Sequence, residues 1–121
     1  MREIEFRGIR NDNSSGEWVY GGLTYNRLNN LFNLIDNKYL RFTVRPKTVG
    51  QYTGLKDKNG VKIFEGDILQ DEDKTLGTVE FNKGRFVGSF YGRTYYSELY
   101  LDAEKSEVIG NIHDNPELLE A

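Results

Sequence analysis

Gln51-Tyr52-Thr53-Gly54-Leu55-Lys56-Asp57-Lys58-Asn59-Gly60-Val61-Lys62-Ile63-Phe64-Glu65-Gly66-Asp67-Ile68-Leu69 is the stretch from which the fold is read. Asn59-Gly60 is the pair that most readily accepts positive φ at both central positions of a type I′ turn, and Val61, Lys62 and Ile63 alternate behind it. A hairpin follows from these signals. Glu65-Gly66-Asp67 then bends the chain into Ile68-Leu69, as at the corner of a small barrel. The Glu65 and Asp67 carboxylates are expected on backbone donors of the bend rather than in an acid/base pair.

Upstream, Leu40, Phe42 and Val44 alternate with Arg41, Thr43 and Arg45 until Pro46, which cannot donate to a ladder, ends the strand. Arg41 and Arg45 share a face with Thr43 between them. An anion fits there unless solvent or carboxylates of a neighbouring strand take both guanidinium groups. Further back, Leu28, Leu31, Phe32 and Ile35 recur at i, i+3, i+4 and i+7, the face of a short helix, although Asn26, Asn29, Asn30, Asn33 and Asn37 lower its propensity. Gly21-Gly22 reads as a hinge or a close approach. Glu3 to Arg10 is a half-buried strand with Ile4 and Phe6 inward and Arg7 outward. The polar turn Asn11 to Gly16 returns it through Trp18, Val19 and Tyr20 as a hairpin. Trp18 is a core-edge residue or a stacking platform.

Downstream, Gln70 to Lys74 is an acidic hairpin tip that does not match the ligand pattern of an EF-hand loop. Strands are expected over Gly77 to Phe81 and Arg85 to Tyr91, turning at Asn82-Lys83-Gly84, with Gly88 admitting a neighbouring backbone. Tyr95 to Leu101 is ambiguous between strand and helical turn. With Tyr91, Tyr95, Tyr96 and Tyr100 so close in sequence, it is either an aromatic groove for a peptide or single strand, or a set of rings covering a small core. Glu107 to Ile112 is a last strand. Asn115 as N-cap, Pro116 at N1 and Glu117 in the first turn then start a short, packed C-terminal helix.

The 121 residues suffice for one domain or two lobes sharing a core. The absence of cysteine excludes a disulfide framework, a Cys-ligated metal and a thiol nucleophile. Charge alternates from Arg2 to Phe6 without an apolar run, so neither a signal peptide nor a membrane span is expected. Thirteen Gly, eight Tyr and seven Phe against one Met favour a turn-rich sheet. The net charge of −3 hides an asymmetry, because residues 1–52 carry +3 and residues 53–121 carry −6. Charge pairing across an internal or subunit interface accounts for this, and a phosphate-facing arginine surface is the alternative. An acidic chain gains little from counterion release, so nucleic-acid binding is disfavoured.

No catalytic set is evident. His113 with Asp114 and Ser89 or Ser97 lacks the nucleophile elbow of a serine hydrolase, and no phosphate-cradling loop occurs. A metal site on the single histidine would be unusual, and no cofactor is expected.

Three blocks carry a family resemblance: Arg2-Glu3-Ile4-Glu5-Phe6-Arg7, Gln51 to Ile68, and Val108-Ile109-Gly110-Asn111-Ile112 through Asn115-Pro116-Glu117-Leu118-Leu119. They resemble the YopX family of phage- and prophage-encoded proteins, with residues Gly21 to Thr48 matching less well. The resemblance implies a phage or prophage origin and the cytoplasm of a bacterial host. It implies no established activity, cofactor or catalytic residue. Together these readings predict a mainly β, α+β protein. Residues 1–52 form an N-terminal hairpin lobe with a short helix, and residues 53–121 form a small SH3-like barrel closed by a C-terminal helix, the two making one folding unit. The expected function is non-enzymatic protein interaction, with a host or phage protein or with itself as partner. The runner-up is nucleic-acid binding through Arg41, Arg45, Tyr91, Tyr95 and Tyr96, and a hydrolase is the remote third.

Overall fold

The structure is a computed structural model that describes residues 2–12 and 15–120. Asn13 and Ser14 of the expected first turn lie outside the described residues. The protein is mainly β, built from antiparallel sheets, and its chain divides into two units, Met1–Tyr52 and Thr53–Ala121.

The first unit contains β1 (Phe6–Ile9), β2 (Trp18–Asn26), β3 (Leu31–Ile35), β4 (Arg41–Val44) and the start of β5 (Gly50–Lys56), in the order β4-β3-β2-β1-β5. The hairpin of β1 and β2 forms as expected, with Phe6 opposite Gly21 and Ile9 opposite Trp18. β2 then leaves β1 and pairs with β3 from Gly22 onward. Gly21 sits at this changeover, and a Cβ there would lie 2.0 Å from the Ile35 carbonyl oxygen. Gly21 is therefore a close approach, as the sequence suggested. At its far end β1 meets β4, where Arg10 bridges Val44 and the Arg45 N–H donates to the Ile9 carbonyl at 2.9 Å. A 3-10 turn, Pro46–Thr48, carries the chain from β4 to β5 along the same edge of β1. The Thr48 hydroxyl fills the gap, accepting from the Ile9 N–H at 2.9 Å and donating to the Arg45 carbonyl at 2.6 Å. Val19, Leu34 and Val44 form the core, with Phe6, Leu23, Phe32, Phe42 and Val49 packed against it.

Two expectations fail in this unit. Residues Leu28 to Ile35 are a turn followed by strand β3, not a helix, and Leu28 is 98% exposed. The asparagines decide this. Asn26 Oδ1 accepts from the Leu28 N–H at 2.9 Å and Asn29 Oδ1 from the Leu31 N–H at 3.0 Å, while Asn30 takes φ of +58°. These are the local bonds through which asparagine competes with helix. Arg7 does not point to solvent either. It is buried, with its guanidinium 4.7 Å from the centre of the Trp18 ring, whereas Ile4 is exposed.

In the second unit, β5 continues beside β6 (Lys62–Phe64), and the Thr53 hydroxyl donates to the Ile63 carbonyl at 2.8 Å. A five-stranded sheet follows: β7 (Asp67–Gln70), β8 (Leu76–Asn82), β9 (Arg85–Phe90), β10 (Ser97–Glu98) and β11 (Glu107–Asn111), in the order β10-β9-β8-β7-β11. No closed barrel is seen among the described residues. The ambiguous Tyr95 to Leu101 stretch divides into the two residues of β10 and one helical turn, α1 (Leu99–Asp102). Ile63, Leu69, Val79, Phe90, Leu99 and Ala103 form the core.

Gly77 and Gly88 exist for the Phe90 ring. A Cβ would come within 2.6 Å of it at Gly77 and within 2.7 Å at Gly88, so a side chain, not the expected backbone, is the close neighbour. The predicted C-terminal helix is a single 3-10 turn, Pro116–Leu119, with no buried residue. Asn115 does not cap it. Its side-chain oxygen instead accepts from the Asn111 N–H at 3.2 Å and covers Gly110, whose missing Cβ would lie 2.5 Å away.

Three turns share one construction. In Asp36–Leu40, Asp57–Val61 and Asp71–Thr75, the fourth residue donates its N–H to the first carbonyl and takes a left-handed φ: +64° at Tyr39, +81° at Gly60 and +67° at Lys74. In each, Oδ1 of the leading aspartate accepts from the N–H groups two and four residues on, at 2.8–2.9 Å. This is a type I turn closed by a bulge residue, so the hairpin at Asn59-Gly60 is not type I′: only Gly60 of the pair has positive φ.

Candidate functional site

The expected contact residues fall into separate units. Arg41 is exposed at the start of β4, opposite Ile35, and Arg45 is half-buried just beyond the strand. Thr43 between them donates its hydroxyl to Asn33 Oδ1 at 3.0 Å. Elsewhere in this unit Arg10 is committed, reaching Asp12 at 2.8 Å and Glu17 at 3.2 Å, with its guanidinium 4.9 Å from the Phe42 ring centre. Its hydrogen bond holds the Asp12 carboxyl below the ordinary value, and Asp12 in turn raises Arg10. Arg10 is thus absorbed within its own unit.

Tyr91, Tyr95 and Tyr96 belong to the second unit, in the connection from β9 to β10, and are 77%, 65% and 46% exposed. Tyr100 and Leu101 on α1 are exposed as well. The rings do not cover the core, which Phe90 and Leu99 fill from the same segment.

What holds this aromatic connection is a cluster that the sequence did not single out. Arg93 stacks 4.5 Å from the Phe90 ring centre. It donates to the Ser97 hydroxyl at 2.6 Å and approaches Asp71 at 3.4 Å and Asp102 at 3.7 Å. One guanidinium therefore ties the β7–β8 turn, β10 and the end of α1 around the loop that carries the tyrosines. Asp71 lies 22 to 31 positions before Arg93, Ser97 and Asp102, so it cannot be grouped with them from a single sequence unless the pairing of β7, β8 and β9 is already known. The same bond engages Ser97, a candidate nucleophile.

Asp67 is buried, and its Oδ2 accepts from the Phe64 N–H at 2.7 Å, as expected of a bend carboxylate. Gly66 between it and Glu65 has φ of +93° and is held on both sides, by its N–H to the Val79 carbonyl and its carbonyl to the Ile112 N–H, each at 2.9 Å. Among the described residues no group of three or more His, Asp or Glu side chains is placed to hold a metal. No helix among them is long and apolar enough to cross a membrane.

Each unit also has a cleft. One, in the first unit, lies over Gly21-Gly22 between Tyr20 and Asp36. The other, in the second unit, lies between the β8–β9 ladder and the closing turn at Leu118-Leu119.

These features define a class: an antiparallel β protein of two units with an exposed aromatic connection braced by an arginine. The family follows from the comparisons. The family model described as YopX protein matches residues 5–120, and the chain belongs to the YopX family. Among solved structures, the crystal structure of protein EF1440 from Enterococcus faecalis is similar, with 27% identity and a TM-score of 0.65 over 98% of this chain and 99% of that one. Among curated proteins none matches.

Proposed function

We propose that this chain is a non-enzymatic protein-interaction module, a phage or prophage accessory protein acting in the cytoplasm of its bacterial host. The observation that carries the reading is the exposure of Tyr91, Tyr95, Tyr96, Tyr100 and Leu101 on one braced segment. Tyrosine offers large contact area at low entropic cost, and clustered exposed rings are what interaction surfaces enrich. The Arg93 clasp supports it by pre-organising the backbone beneath the rings, which lowers the ordering cost of binding. The second unit is read as a small barrel of the SH3-like kind whose loops present this segment. Nucleic-acid binding is less well supported, because the tyrosines sit on the unit that carries −6.

The test is affinity purification from host lysate together with sedimentation velocity, comparing wild type with the Tyr95→Ser/Tyr96→Ser double variant. Both positions are exposed, so the variant folds normally. Wild type is expected to retain a protein partner or to self-associate, and the double variant to lose that association. A strict monomer without a partner, or equal retention by the variant, refutes the reading.

A further inference from the structure

We propose that the cleft between the outer face of the β8–β9 ladder and the closing turn binds a small free carboxylate with an apolar body. This goes beyond the protein-interaction reading and uses different chemistry. Gly77 pairs with Phe90 and Thr78 with Ser89, and Phe90 faces the core. Alternation therefore turns Thr78 and Ser89 to the opposite face, together with Leu76 and Tyr91, whose backbones are joined by a 2.8 Å hydrogen bond. Across from this face the 3-10 turn sets Leu118 and Leu119, leaving a cleft of about 550 Å³, a size typical of small-molecule sites.

The lining states the ligand's chemistry. Leu76, Tyr91, Leu118 and Leu119 supply apolar walls. Lys74 is the one charged side chain that lines the cleft among the described residues, and its left-handed backbone, φ of +67°, places it at the entry to β8. The Thr78 hydroxyl is already donating, to Glu80 Oε2 at 3.0 Å. The donors left for a ligand are the Lys74 ammonium and the Ser89 hydroxyl, neither of which has a partner among the described residues. Two donors facing apolar walls match an acceptor-only, negatively charged head on a hydrocarbon body.

The experiment is a titration of the whole protein with decanoate and, separately, with decanol, followed by amide chemical shifts. Decanoate is expected to give saturable shifts at Leu76, Thr78, Ser89 and Tyr91. Lys74→Gln should weaken decanoate about fivefold, the worth of one ammonium at a solvated contact, and leave decanol unchanged. Leu119→Ser should weaken both probes. The proposal is overturned if neither probe shifts these residues saturably, or if Lys74→Gln affects both probes alike. Tyr91 belongs to both surfaces, but the interaction is tested at Tyr95 and Tyr96, which do not line the cleft, so either result leaves that test standing.

Discussion

Replacing Asp57 tests how the opening hairpin is tied to the rest of its unit. The side chain is only 5% exposed and accepts three N–H groups: Asn59 at 2.8 Å and Val61 at 2.9 Å on Oδ1, and Val108 of β11 at 2.9 Å on Oδ2. Hydrogen bonds to a charged acceptor contribute about 1.5–3 kcal/mol each, and water recovers part of this at the two exposed turn positions. Asp57→Ala is therefore expected to cost about 3 kcal/mol, a large fraction of the roughly 5–15 kcal/mol that a domain possesses. Asp57→Asn is the sharper variant. Its amide oxygen can keep both turn bonds, but its NH₂ group then faces the Val108 N–H, donor against donor, at a cost of about 2 kcal/mol. Asp36→Asn, whose two carboxylate hydrogen bonds lie within its own turn, is expected to cost only about 0.5 kcal/mol. The assay is urea unfolding followed by far-UV circular dichroism, with hydrogen exchange at the Val108 amide. An Asp57→Asn variant as stable as Asp36→Asn, with Val108 still protected, would falsify the cross-link.

Other substitutions probe the remaining constraints. Gly21→Ala forces a methyl group against the Ile35 carbonyl and should destabilise the first unit by about 3 kcal/mol, read from Trp18 fluorescence during unfolding; a neutral result would mean that β2 does not approach β3 as described. Gly77→Ala should cost about 2 kcal/mol by colliding with the Phe90 ring, and adding Phe90→Leu should return part of that loss, whereas additive costs would exclude the collision. Arg93→Gln removes the stack on Phe90 and both ion pairs, for about 2 kcal/mol, and should raise amide exchange from Tyr91 to Tyr96; unchanged exchange would show that the clasp does not brace the loop. Asp12 is held below its ordinary value of 3.8 by the hydrogen bond from Arg10, so its stabilising contribution is present above that value and disappears as pH falls through the depressed one. Arg10→Ala should move the Asp12 carboxyl titration, followed by NMR, back up toward 3.8.

Legibility followed the range of the interactions. Strand β4 and its termination at Pro46, the return of β1 into β2, the corner at Gly66 and the acidic turn at Asp71 were all readable, because alternation and turn chemistry act within a few residues. The spacing of Leu28 to Ile35 satisfies a helical face, but the decisive bonds are those that asparagine side chains accept from nearby backbone N–H groups, which spacing does not show. The closing helix does not form beyond one 3-10 turn, and Asn115 finds its partner in the strand before it rather than in the turn after it.

Among the candidate site residues, the tyrosines could be named but not placed, since Tyr95 on a surface and Tyr95 over a core have the same neighbours in sequence. Composition and local pattern settled that this chain is a turn-rich, mainly β protein and where most of its strands run, because those signals are short-range backbone preferences. Only the tertiary structure decided that Arg7 is buried under Trp18, that Gly77 and Gly88 serve the Phe90 ring, and that Arg93 gathers Asp71, Ser97 and Asp102 beneath the exposed tyrosines. The first two depend on strand register, since a one-residue shift would turn Arg7 and Phe90 to the other face, and the third depends on the pairing of β7 to β10 that brings the turn, the connection and α1 together.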